Sequence, residues 1–318
     1  MLDRVLLTKK VSPLSLSGHS YLALRRWIFK GIPILLLLYL LVDSFLIARH
    51  ELTLKRSPRV TQDAPDAGWL NVPFTTTDSI KLAGWYAPTR NGQTVVLLHG
   101  HAGNRSQVLP VATMLRHEGF GVFLYDTRAH GASEGEAIGY GEKELLDLRA
   151  ALDWLEARTD VDVSRIGVYG FSLGGYFALR HAVSDRRISS LVLAGTPSSL
   201  LELARDEAGG GLRGWMSSRV RYFANRIAGR SKFEQTGVES ITALDNVSVL
   251  LITGGRDSLV PHTRGLELFK AARGPKSIAL FPEAGHGNYL EADTQRFHGL
   301  VVNFFRRTLS QHNSLSGR

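Results

Sequence analysis

Gly170-Phe171-Ser172-Leu173-Gly174 sets a serine between two glycines at the spacing G-x-S-x-G. That spacing suits a tight strand-to-helix turn, where crowded backbone leaves no room for a β-carbon at the flanking positions. A serine hydroxyl is a weak nucleophile near neutral pH. Ser172 therefore needs a base to take its proton and a carboxylate to fix the tautomer of that base. Asp257 follows the apolar run Leu250-Leu251-Ile252 and the sequence TGGR, and His286 follows Phe281 through PEAG. Both stand just past the carboxyl end of a predicted strand, in the chain order Ser, Asp, His. Such a trio performs acyl transfer: Ser172 attacks, His286 moves the proton and Asp257 orients His286.

Other polar residues compete for these roles. Asp245 precedes a predicted strand, which puts it at the wrong edge of the sheet. Asp126 and Arg128 are expected to brace their loop as an ion pair. His130, in the same loop, is a weaker candidate base than His286. His99 and His101 lack a third ligand at metal spacing. The chain has no Cys, which removes thiolate zinc sites, iron–sulfur clusters, disulfide scaffolds and cysteine nucleophiles together. No metal and no cofactor is expected.

The elements that must position the trio are legible from Trp69 onward. Residues 69–87, with the turn signal Asp78-Ser79, predict a hairpin. Apolar runs at Val95–Leu98, Val122–Tyr125, Ile166–Tyr169, Leu191–Ala194, Val249–Ile252 and Ile278–Phe281 predict six more strands. Between them, Gln107–His117, Glu142–Arg158, Leu173–Val183, His262–Ala272 and Tyr289–Phe305 carry helical apolar spacing. Alternation of this kind predicts an α/β fold, a mostly parallel eight-stranded sheet with helices on both faces. The interval 198–244 is too long for one crossover and reads as an inserted helical cap.

With these elements in view, VVLLHGHAGN at 95–104, FLYDTRAHGASEG at 123–135, GVYGFSLGG at 167–175, LLITGGRDSLVP at 250–261 and FPEAGHGN at 281–288 resemble the blocks of the α/β-hydrolase-fold serine hydrolases. The chain is most similar to their monoglyceride-lipase-like and serine-aminopeptidase-like branch. The resemblance covers about residues 69–306 and implies the Ser172, Asp257, His286 triad. It also implies an oxyanion hole from the backbone N–H groups of Leu173 and His101, with Ala102 in place of His101 if the turn is shifted by one. The substrate implied is a small-molecule or lipid acyl compound, an ester, thioester or amide. An acyltransferase with an alcohol acceptor would use the same triad. A catalytically silent binding module on this fold would show a broken triad, and all three residues are present.

The remaining chain concerns membranes. Gly31 to Ala48 reads GIPILLLLYLLVDSFLIA, eighteen residues with one charge, Asp43. As a helix it would be roughly 27 Å long, enough for a thin bilayer core. About thirty residues precede it and no A-x-A pattern follows, so it reads as an uncleaved single-pass anchor rather than a cleaved signal peptide or a buried core helix. The positive-inside rule leaves its orientation undecided. The expected organisation is a basic tail at 1–30, an anchor at 31–48, a linker at 49–68 and a hydrolase domain at 69–312.

Of the net charge of +9, residues 1–60 carry +7. The surplus therefore flanks the apolar segment, and no nucleic-acid partner is expected. Within the cap, residues 212–233 hold six Lys/Arg and no acid, and Met216, Val220, Phe223 and Ile227 form a helical stripe. That pattern fits a lid packed on its own domain or a helix at a lipid interface.

Overall fold

The computed structural model describes residues 18–52, 63–136, 138, 140–207, 209–227 and 236–310. The chain divides into two units, Met1–Leu46 and Ile47–Arg318. A helix of 35 residues, α1 (Gly18–Leu52), contains the apolar segment, with Pro33 inside it. Ile34 through Leu38 of that helix are all more than half exposed. Among the described residues no helix is long and apolar enough to cross a membrane. Within 31–48 the side chains of Leu40, Ser44, Ile47 and Ala48 lie outside the described set, which leaves 31–39 as the longest unbroken run there.

In the second unit eight strands form one sheet: β1 (Leu70–Thr75), β2 (Lys81–Ala87), β3 (Thr94–Leu98), β4 (Gly121–Tyr125), β5 (Ile166–Phe171), β6 (Ile188–Ala194), β7 (Ser248–Gly254) and β8 (Lys276–Phe281). Their spatial order is β1-β2-β4-β3-β5-β6-β7-β8. The hairpin β1–β2 is antiparallel, as is β2 against β4, and every later pair is parallel. Composition explains the order. The runs VVLL, VFLY and LVLA are apolar at every position, and β3 to β6 are buried throughout, as strands covered on both faces must be. The outer strands β1 and β8 mix buried and exposed positions, and Pro73, which cannot donate to a ladder, sits in the edge strand β1.

Helices α2 (Leu109–His117) and α10 (Thr294–Ser310) cover one face, where Val111, Leu115, Phe297, Val301 and Phe305 pack on Val95, Leu97 and Tyr169. The other face is covered by α3 (Glu144–Glu156), α4 (Leu173–Ala182), α7 (Gly237–Thr242) and α8 (His262–Ala271). The single helix expected over Tyr289–Phe305 is two: α9 (Tyr289–Ala292) stops at Asp293, whose carboxylate accepts from Arg296 N at 3.0 Å and so starts α10 afresh.

Between β6 and β7 lie α5 (Leu200–Glu207), α6 (Gly211–Ile227) and α7. Ile241 of α7 and the adjoining Leu244 enter the main core, so the end of the expected insertion is part of the helical layer. On α6, Gly214 and Ser217 are buried, while Leu212 and Trp215 are 68% and 51% exposed. Of the expected stripe only the side chain of Met216 is described, and it is half-buried.

Candidate active site

Ser172 stands between β5 and α4 with φ 52° and ψ −120°. A non-glycine residue at that φ costs on the order of 1–3 kcal/mol and persists only where its surroundings impose it. Here the glycines make the turn possible: a β-carbon on Gly170 would lie 2.3 Å from Gly175 Cα. Ser172 N also donates to Ala194 O of β6 at 2.7 Å, which pins the turn to the neighbouring strand.

The loops after β7 and β8 deliver the other two residues. Ser172 Oγ lies 3.0 Å from His286 Nε2, and His286 Nδ1 lies 2.8 Å from Asp257 Oδ2. This geometry fits one arrangement, with Ser172 O–H donating to Nε2 and Nδ1–H donating to the carboxylate. The imidazole rests on the Phe171 ring, with centroids 4.9 Å apart. Asp257 is wholly enclosed, and its other oxygen accepts from Leu259 N at 3.0 Å and Val260 N at 2.8 Å. The sequence reading missed Tyr289, whose hydroxyl donates to Asp257 Oδ2 at 3.3 Å. Burial, reinforced by the Asp257 charge, pushes that phenol well above its ordinary range. The available signal was an aromatic residue three positions after His286, at the first turn of a short helix.

The loop after β3 packs on the same turn. A β-carbon on Gly100 would lie 3.2 Å from Ser172 Cβ. Gly103 N donates to Gly100 O at 3.2 Å, which closes a tight turn with His101 and Ala102 at its centre, and Ala102 has φ 53°. Among the described residues neither His101 N–H nor Leu173 N–H has a hydrogen-bond partner. Leu173 N is also the first amide of α4, at the positive end of the helix dipole.

Beneath this loop lies a buried polar frame. His99 Nδ1 donates to Gly100 O at 2.8 Å and Nε2 accepts from Thr127 N at 3.1 Å, so both ring nitrogens are committed in the neutral form. Burial, helped by neighbouring His130, pushes its pKa down to about 3. The ion pair expected between Asp126 and Arg128 does not form. Asp126 turns back to Arg105, accepting from its N at 2.7 Å and its Nη1 at 2.6 Å, and from Ala132 N at 2.8 Å. Arg128 reaches Asp147 at 2.7 Å and Asp78 at 2.7 Å, and it holds the Asp78 carboxyl down to about 2.

His130 is buried, with Nδ1 2.9 Å from Arg128 O and its ring against His99, while the base bonded to Ser172 Oγ is His286. Asp245 lies before the amino-terminal end of β7. Among the described residues no group of three His, Asp or Glu side chains could hold a metal ion.

Over Ser172 opens a cavity of about 360 Å³ whose walls are mainly Leu, Val, Tyr and Phe, with His286 and His101 beside the serine. Its size falls within the range of small-molecule sites.

Residues 93–231 match the family model of the α/β hydrolase fold. A protein of Mycobacterium tuberculosis with no assigned function is 33% identical over 221 residues, 69% of this chain and 72% of that one. An α/β-hydrolase domain-containing protein of Arabidopsis thaliana is 32% identical over 224 residues, 66% of this chain and 69% of that one. Among solved structures, an esterase of Pyrococcus furiosus superposes with a TM-score of 0.65 at 27% identity, covering 80% of this chain and 99% of its own.

Proposed function

The chain belongs to the α/β-hydrolase family, and on that premise we propose that it is a serine hydrolase working through an acyl-serine intermediate. The observation that carries this reading is the pair of hydrogen bonds that links Ser172 Oγ through His286 to Asp257 at the floor of an apolar cavity. As Ser172 Oγ attacks a carbonyl carbon, its proton passes to His286 Nε2, and Asp257 stabilises the imidazolium. Charge gathers on the carbonyl oxygen, and the amides of Leu173 and His101 are the donors that would receive it. The tetrahedral species collapses as His286 returns the proton to the leaving oxygen. Water then repeats the sequence on the acyl-serine. The Pyrococcus furiosus neighbour is described as an esterase, which favours an ester over a thioester or amide.

A fluorophosphonate probe tests the assignment. It should label the wild-type protein at Ser172 and leave Ser172→Ala unlabelled. Equal labelling of both would refute the nucleophile.

We further propose that residues 31–48, eighteen residues with Asp43 as the one charge, form a single-pass membrane anchor. The full-length protein should then resist carbonate extraction, while a form beginning at Thr61 should be released and remain active. Release of the full-length chain by carbonate would remove the anchor.

A further inference from the structure

The cavity over Ser172 is walled by residues from both faces of the sheet. Leu200 and Tyr140 belong to the core layer under α3 and α4, and Leu203 packs on that layer. Val111, Tyr169 and Phe297 belong to the opposite layer, under α2 and α10. A sheet is continuous up to its edge. A cavity that touches both layers must pass over the carboxyl end of β5, where Ser172 stands at the crest. The two substituents of a tetrahedral carbon bonded to Ser172 Oγ therefore descend to different faces.

His286 decides which substituent goes where, because the leaving oxygen must come within reach of Nε2 to receive its proton. Its ring rests on Phe171, and its chain runs directly into Tyr289; both belong to the layer that holds Val111, Tyr169 and Phe297. We propose that the leaving alcohol occupies the Val111, Tyr169 and Phe297 arm and the acyl chain the Leu200, Leu203 and Tyr140 arm. This assignment rests on the acyl-serine reading above.

The lining of the cavity defines the substrate class. No Lys or Arg is among its described lining residues, so an anionic substituent would find no cation to hold it there. The substrate is a neutral ester with an apolar chain on each side of the carbonyl.

Methyl heptanoate and hexyl acetate are isomers that place the same hexyl chain on opposite sides of the ester, and the ratio of their kcat/KM values reads the arms directly. With the full chain in detergent, Leu203→Trp should lower the ratio of methyl heptanoate to hexyl acetate at least tenfold, and Val111→Trp should raise it at least tenfold. Leu203→Ala and Val111→Ala should move the ratio in the reverse directions without overfilling the core. Shifts of opposite sign would mean that the arms are exchanged, and a ratio unmoved by all four variants would mean an undivided cavity; either overturns the assignment.

Monomethyl pimelate, which is methyl heptanoate with a terminal carboxylate, should be hydrolysed at least tenfold more slowly. Equal rates would overturn the neutral class. A wild-type protein that takes no fluorophosphonate label would remove the acyl-serine reading and the arms with it. A labelled protein whose ratio ignores the variants would remove the arms alone.

Discussion

Along the carboxyl ends of β4 and β7 each acidic side chain is held by several donors: Asp126 accepts from Arg105 and Ala132, and Asp257 from His286, Tyr289, Leu259 and Val260. Helix α6 of the cap is held otherwise. Among its described side chains Leu212 and Trp215 face outward, and Arg219 lies over the exposed Trp215 ring. At the rim the atoms that react are placed by many short bonds, most of them to backbone, so a single lost bond there displaces a reacting group. On α6 an outward side chain has little to transmit. The contrast separates a region that sets rate and stability from one that tolerates change.

Substitutions measure that contrast. Asp257→Asn keeps the shape of the rim but favours the wrong tautomer of His286, and kcat should fall about 10⁴-fold; a loss below tenfold in steady-state assays would show that Asp257 does not orient the base. Asp126→Ala removes the carboxylate that pairs with the Arg105 guanidinium, which is 1% exposed, and should destabilise the fold by about 3–5 kcal/mol in urea unfolding. A change under 1 kcal/mol would mean that the rim is less constrained than its bonds suggest.

His99 gives the contrast a pH dependence. Its folded pKa of about 3 lies below the ordinary 6.5, so below pH 6.5 the unfolded chain binds a proton that the folded chain refuses. The stabilisation is complete above pH 6.5 and is lost as pH falls toward 3, by up to about 1.4 kcal/mol per pH unit. His99→Gln should flatten the dependence of the urea midpoint between pH 7 and 5, and parallel curves for the two proteins would exclude His99 as the cause. The smallest effect belongs to the cap. Trp215→Ala should shift unfolding by no more than about 0.5 kcal/mol, and a larger loss would show that α6 is packed more firmly than its exposure indicates.

Much of the architecture was legible because it is local. Short apolar runs mark strands β3 to β7, and the turn at Ser172 follows from glycines within a few residues of it. Asp257 and His286 were found by their place after strands. What was missed is non-local. Arg128 pairs with Asp78, 50 residues away, and with Asp147, 19 away, and nothing in the sequence near Arg128 marks either partner. Tyr289 was hidden for a related reason: its ring reads as core, and only the fold shows its hydroxyl reaching Asp257. The break between α9 and α10 did leave a mark, since Asp293 is a favourable helix cap inside an otherwise continuous apolar period.

Helix α10 follows the edge strand β8 yet packs at the middle of the sheet, where Phe305 lies against Gly167 of β5, Arg165 Nε donates to Leu309 O and Gln93 Nε2 donates to Ser310 Oγ. During synthesis, strands β1 to β7 can therefore emerge and pair while the layer containing Val95, Leu97 and Tyr169 still lacks its largest cover. His286 emerges in the same late stretch of chain. The nascent protein thus passes through a stage in which a broad apolar face is open to chaperones while Ser172 has no base, and a single helix closes the face only after the residue that activates the serine has emerged.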